Sequence, residues 1–250
     1  MKILVCVKRV PITGGKIVLT EDGRAIDTRF LGFTVSPHEE CAVEEAVRLV
    51  EAHGGESVVL TLGPPEAEEQ LRDAMAIGAD RGILLESDVA GWDPQATARA
   101  ISDSIVDETF DLLLFGNEAA DTGDYQVAVR VAHALGLPCV MGVKAIEIDG
   151  SRARVRREAQ GGWEVFEAEL PAVIAVREGL NLPRFPSVPG RLRAKKKPIE
   201  TISVKPEVGG QEMLRLMLPP GAGKQVEVLG RGPEAASKVV EILRTLGVLR

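Results

Sequence analysis

The stretch Asp111–Pro138, DLLLFGNEAADTGDYQVAVRVAHALGLP, decides the fold. An apolar run, Leu112 to Phe115, breaks at Gly116 into a polar loop. Val127, Val131 and Ala134 then recur at helical spacing until Gly136 and Pro138 stop them. This reads as strand, loop and helix, the unit that offers free backbone amides to an anion at a helix N-terminus. The loop is longer and more polar than a bare connection requires. Two readings of Gly116 to Tyr125 stand side by side: a nucleotide site, or a plain connection with Asp121 or Asp124 as the helix N-cap. Two acids beside a phosphate repel it, so at least one of them caps amides or holds a ribose hydroxyl.

No standard phosphate-binding motif accompanies the unit. The chain lacks G-x-G-x-x-G, and PPGAGKQ at Pro219 to Gln225 is not a P-loop. Leu218 stands where that motif needs its first Gly, and Gln225 where it needs Ser or Thr. Lys8, at the end of the first strand, is the nearest cation and flanks the site.

Outward from the decisive stretch, apolar runs recur at Ile3 to Val7, Val58 to Leu62, Ile83 to Leu85 and Val173 to Val176. Helical segments separate the first three from one another and from Leu112. Ser36 as N-cap, Pro37 at N1 and Glu39 at N3 predict a capping box for a helix ending at Gly54-Gly55. Asp93-Pro94 opens another, with Ala98, Ile101 and Ile105 turned inward. Near-continuous apolar strands alternating with helices predict an α/β, Rossmann-like parallel sheet covered on both faces, with ligands at the carboxyl ends of the strands. Turn signals at Asp149-Gly150 and Gly161-Gly162 predict a small antiparallel excursion that returns to the sheet at Ala172. The expected organisation is a nucleotide-binding domain over 1–198 and an extended C-terminal arm over 199–250, closed by a helix from Pro233.

Composition narrows the function. The 250 residues carry a net charge of -7, which argues against general nucleic-acid binding. No apolar run reaches the ~20 residues of a membrane span. Lys2 leads directly into a strand, leaving no room for a leader, and Cys6, Cys41 and Cys139 sit in apolar surroundings with no metal spacing. A cytoplasmic protein is expected. His38, His53 and His133 are scattered, and none joins a catalytic set, so binding and conduction are expected rather than catalysis. The basic segment after Gly179, fixed by Pro183, Pro186 and Pro189 and carrying Val188 amid arginines and lysines, reads as a protein-docking element.

Together these pieces resemble the β subunit of electron transfer flavoprotein through nearly the whole chain. The resemblance rests on VCVKRVP at Val5, CAVEEAVRL at Cys41, MAIGADRGILL at Met75, the Gly116 to Gln126 loop, LPAVIAV at Leu170 and NLPRFPSVPGRLRAKKKPIE at Asn181. It implies a heterodimer in which an α subunit holds most of the FAD site and this chain buries a structural AMP. Electrons would pass from acyl-CoA and related dehydrogenases through the flavin to a membrane quinone oxidoreductase. By position, the AMP contacts fall on Cys6, Ser36, Pro37, His38, Glu39 and Leu62. They continue along Gly116, Asn117, Glu118, Ala119, Ala120, Asp121, Thr122, Gly123, Asp124, Tyr125, Gln126 and Val127.

The dehydrogenase-docking loop falls on Arg184, Phe185, Pro186, Ser187, Val188, Pro189, Arg191 and Arg193. The capped helix start at Ser36 and the Gly116 loop are reached independently from the residues. Departures are Val188 where many members carry Leu, Thr13 and His38 where an aromatic pair stands near the flavin, and Ala128 in place of a Gly. Two alternatives remain: an electron-bifurcating relative with a second FAD in place of AMP, and a stand-alone adenine-nucleotide-binding enzyme or sensor.

Overall fold

The structure is a computed structural model and describes residues 1–14, 17–88, 92–206, 211, 213–219 and 227–249. In chain order the elements are β1 (Lys2–Val7), β2 (Val10–Pro11), β3 (Phe33–Thr34), α1 (Pro37–His53), β4 (Glu56–Gly63), α2 (Glu68–Ile77), β5 (Arg81–Glu86) and α3 (Pro94–Ser104). They continue as β6 (Leu112–Gly116), α4 (Val127–Leu135), β7 (Cys139–Asp149), β8 (Arg152–Ala159), β9 (Gly162–Glu169), β10 (Ala172–Val176), α5 (Val188–Ala194), β11 (Ile199–Ser203) and α6 (Ala236–Thr245).

Among the described residues the main sheet runs β11-β5-β4-β1-β6-β10-β7-β8-β9. It is parallel from β11 to β7. Alternation along β1 sends Ile3, Val5 and Val7 into one core with α1 and α2. Leu4 and Cys6 go into a second core with α3 and α4. The sheet is thus covered on both faces, which is why its strands read as continuous apolar runs.

The antiparallel excursion is continuous with this sheet. The first residues of β7 pair parallel with β10, and beyond a register shift the rest pairs antiparallel with β8. Cross-strand pairs such as Arg152–Glu169 at 2.6 Å and Lys144–Glu158 at 2.8 Å line the hairpins.

Three expectations are corrected. Ile199–Ser203 is an edge strand hydrogen-bonded along β5, so the first compact unit extends from Met1 to Leu214 and the second covers Arg215–Arg250. Ile199 and Ile202 are the partly buried positions of this strand. Within the second unit, α6 forms where expected and buries none of its residues. In α4 the inward positions are Ala128, Val131 and Ala132, whereas Ala134 is exposed. Val127 and Leu135 pack partly against the same core. Finally, neither Asp121 nor Asp124 caps α4: the N-cap is Gln126, without a side-chain bond. The Gly-Lys part of PPGAGKQ lies outside the described residues. No helix among the described residues is long and apolar enough to cross a membrane.

Candidate functional site

Strand order reverses at β1, whose neighbours are β4 on one side and β6 on the other. The crevice beyond the carboxyl ends of such strands is where open α/β sheets bind ligands. A cavity opens there with about 810 Å³ of empty space including its mouth. Cys6, Val7 and Lys8 line it from the end of β1, Leu62 from β4, and Phe115 and Gly116 from β6. The loop adds Asn117, Glu118, Ala119, Thr122, Asp124, Tyr125 and Gln126, and Glu39 reaches in from α1. Val127 and Ala128 complete the α4 side.

Helix α1 holds this loop. The Glu39 carboxylate accepts from the Ser36 N–H at 3.0 Å, the return half of the predicted capping box. The Ser36 hydroxyl accepts from the Ala120 N–H at 2.9 Å. Ser36 itself does not line the cavity, nor do Pro37, His38, Ala120, Asp121 or Gly123. They stand one layer out. A Cβ on Gly116 would lie 2.7 Å from Glu39 Cγ and 3.3 Å from His38 Cβ, so only Gly lets the strand end and the helix start come this close. The loop curls at Gly123 (φ +59°) and at Tyr125 (φ +57°). A left-handed backbone is uncommon for a bulky side chain. Lys8 Nζ donates to Asp121 Oδ1 at 2.8 Å and to Thr122 Oγ1 at 3.2 Å, closing the loop over the end of β1.

Burial governs the site's electrostatics. Glu39 is almost wholly enclosed, and desolvation pushes its carboxyl up to about 8 despite backbone amide donors and the nearby Lys8. Cys6 is driven well above the ordinary thiol range by burial and then by Glu39, so it presents a thiol and not a nucleophilic thiolate. Burial lowers His38 as well, and its Nδ1 is enclosed without a hydrogen-bond partner. Among the described residues no cluster of His, Cys, Asp and Glu could share a metal ion. The arrangement can enclose a polar ligand and orient it.

The sequence reading missed Trp92, Pro94, Thr97 and Ile101, which bring the start of α3 to the cavity wall. The available signal was position: they follow β5, whose carboxyl end borders the same crevice.

Residues 26–207 match the family described as electron transfer flavoprotein domain. The chain belongs to the electron transfer flavoprotein family. It is 39% identical to the electron transfer flavoprotein subunit beta of Syntrophomonas wolfei, over 98% of this chain and 96% of that protein. It is 36% identical to the subunit of the same name from Bacillus subtilis, over 98% of each. It is also 35% identical to the caffeyl-CoA reductase-Etf complex subunit CarD of Acetobacterium woodii, over 89% and 90%. In this electron transfer flavoprotein family chain, the segment assigned to docking differs from an extended, Pro-fixed loop. Val188–Ala194 is helix α5, with the Ser187 hydroxyl accepting from the Gly190 N–H at 3.1 Å.

Three of the basic side chains of the segment are tied into the fold, while Arg193, Lys195 and Lys196 are exposed. Arg184 donates to Glu44 at 2.9–3.1 Å and to Glu51 at 2.7 Å and 2.9 Å, fastening the segment to α1. Arg191 reaches Asp73 at 3.1 Å. Lys197 Nζ donates to the carbonyls of Met75, Gly78 and Ala79 at the end of α2. Helix α5 lies so close to α2 that a Cβ on Gly190 would stand 2.5 Å from the Ala76 carbonyl oxygen. Beside these cations the segment exposes three apolar side chains: Leu182 at 91%, Phe185 at 97% and Val188 at 74%.

Proposed function

We propose that the chain is the nucleotide-holding subunit of a heterodimeric electron carrier in the cytoplasm. It buries a structural AMP and pairs with an α subunit that holds FAD. The complex relays electrons from acyl-CoA and related dehydrogenases to a membrane quinone oxidoreductase. The observation that carries the AMP assignment is the cavity at the β1 switch point, walled by the ends of β1, β4 and β6, the start of α3 and the Gly116–Gln126 loop, the place where open α/β sheets bind ligands.

The residues fit a mononucleotide. The apolar wall from Leu62, Pro94, Ile101 and Phe115 suits a base, while Thr122, Gln126 and the loop amides suit a ribose and one phosphate. Lys8 is the one cation lining the cavity among the described residues, and it is already paired with Asp121. A β- or γ-phosphate would gain no partner there and would meet Glu118 and Asp124. This favours AMP over ATP.

The flavin supplies the redox chemistry when bound. This chain's own residues hold the nucleotide, exclude water from it and present the docking surface. The Leu182, Phe185 and Val188 side chains, projecting from a segment tied down by Arg184, suit an apolar pocket on a dehydrogenase. Helix α6, with Val239, Val240, Ile242 and Leu246 exposed, is assigned to the α subunit.

The test is to release and identify by mass the ligands of the complex purified from its native source. One AMP and one FAD per heterodimer are expected. FAD in both sites would replace the AMP assignment with a bifurcating carrier. The chain expressed alone should be nearly colourless and turn yellow on co-expression with an α subunit. Stoichiometric FAD on the isolated chain would refute the division of labour.

A further inference from the structure

We propose that Trp92 is the specificity-determining residue of the cavity, the plate on which the base of the bound nucleotide stacks. This rests on the reading above that the cavity takes an adenine nucleotide. Three observations carry it.

The first is immobilisation. The indole Nε1–H donates to Ser87 Oγ at 3.2 Å, and the Ser87 N–H is itself bonded to the Gly63 carbonyl at the end of β4. On its other side, Trp92 directly precedes Asp93, whose carboxylate accepts from the Gln95 and Ala96 N–H groups at 2.7 Å and 2.8 Å. The ring is therefore pinned between a strand end and a helix cap. A rigid aromatic loses little entropy when a ligand settles against it.

The second is position. Trp92 lines the cavity and also the adjoining groove beside Ile202 and Lys205, so the residue stands between the two. Its neighbours on the cavity side, Pro94 and Ile101, are apolar. At the other end the cavity is lined by Lys8 and Thr122, held together by the Lys8 bonds to Thr122 and to Asp121 behind it. A ligand with a flat apolar end and a charged end has one way to lie.

The third is exclusion. Phe115 also lines the cavity but is 4% exposed and belongs to the core between α3 and α4. Tyr125 is 52% exposed, on the left-handed turn of the loop. Tyr125 is also held, through its bond to Glu118, but it sits among the polar loop residues; Trp92 is the held, partly exposed aromatic on the apolar α3 side.

The experiment uses the full chain, stripped of nucleotide and verified as folded by circular dichroism. The chain has two tryptophans, so Trp163→Phe leaves Trp92 as the sole reporter. AMP should quench and shift its emission, and ribose 5-phosphate should not. By calorimetry, Trp92→Ala should weaken AMP roughly five- to 150-fold, the range of alanine substitutions under a stacked base. Trp92→Phe should cost only a few-fold, and ribose 5-phosphate should bind all three proteins equally. Unchanged AMP affinity in Trp92→Ala, equal weakening of AMP and ribose 5-phosphate, or weakening by Tyr125→Ala in its place would each overturn the assignment while leaving the nucleotide site standing. Failure of the parent chain to bind AMP at all would remove the site and the assignment together.

Discussion

The hydroxyl of Ser36 accepts a hydrogen bond from the amide of Ala120 at 2.9 Å, joining two residues 84 positions apart in sequence. Ser36 thus serves as helix cap and as clasp for the nucleotide loop. Replacing it by Ala leaves the Ala120 N–H without its acceptor and should lower stability by about 1 kcal/mol. AMP should be held less tightly and released faster. Chemical denaturation and nucleotide retention through gel filtration measure the two effects. A loss of stability with unchanged retention would confine Ser36 to the helix.

Gly116 should tolerate no side chain. The 2.7 Å approach that a Cβ would make to Glu39 Cγ forces the start of α1 away from β6, an overpacking that costs about 1–3 kcal/mol. Gly116→Ala should melt earlier and lose nucleotide, whereas Gly136→Ala, with no heavy atom within 4 Å but φ +67°, should show only the backbone cost of a left-handed residue. Thermal melts of the two variants make the comparison.

The buried carboxyl of Glu39 gives stability a defined pH dependence. Its value in the fold is raised from 4.5 to about 8, so the folded chain binds that proton more tightly than the unfolded chain. Its contribution is fully present below the unfolded value. It is lost as pH rises toward 8, at no more than about 1.4 kcal/mol per unit. Glu39→Gln keeps a carbonyl to accept the Ser36 N–H and removes the titration. Urea denaturation between pH 5.5 and 8 should show the parent weakening relative to this variant, and parallel curves would mean that Glu39 is ionised throughout.

Arg184 and Val188 should separate stability from docking. Arg184→Ala leaves Glu44, itself 5% exposed, without its cation. It should cost about 2 kcal/mol, less than a fully buried pair because the guanidinium is partly solvated. Val188→Ala removes two exposed methyls, so stability stays the same. Electron transfer from an acyl-CoA dehydrogenase should then need roughly tenfold more partner for half-saturation. Titration of dehydrogenase-to-flavin transfer reads this directly, and unchanged half-saturation would exclude Val188 as the anchor.

Much of the fold was legible because parallel strands buried on both faces must read as apolar runs, and the caps at Ser36 and Asp93 are local. The phase of α4 was not legible, since Val127, Val131 and Ala134 fit a helical period as well as Ala128, Val131 and Ala132 do. Packing against the sheet decides between them, and it takes Ala128, Val131 and Ala132 with Val127 at the edge. The role of Arg184 was hidden for a different reason. Its partners Glu44 and Glu51 lie on α1, and no local pattern separates a cation that steers a partner from one that fastens its own chain. Trp92 was missed because the wall it forms depends on strand order, which brings the end of β5 beside the crevice. The edge strand Ile199–Ser203 was read as arm because a five-residue strand with Glu200, Thr201 and Ser203 exposed carries little apolar signal.

Helix α1 meets the nucleotide loop through Ser36 and Glu39, and grips the docking segment through Glu44 and Glu51. At about 1.5 Å of rise per residue, these attachments stand on one rod, Glu39 and Glu44 only ~7.5 Å apart along it. A single helix is thereby the ruler between the proposed nucleotide cavity and the proposed docking segment. The bonds of Ser36 and Glu39 at one end and of Glu44 and Glu51 at the other set the spacing of Phe185 and Val188 from the cavity. A substitution that tilts α1 would miscalibrate both sites at once.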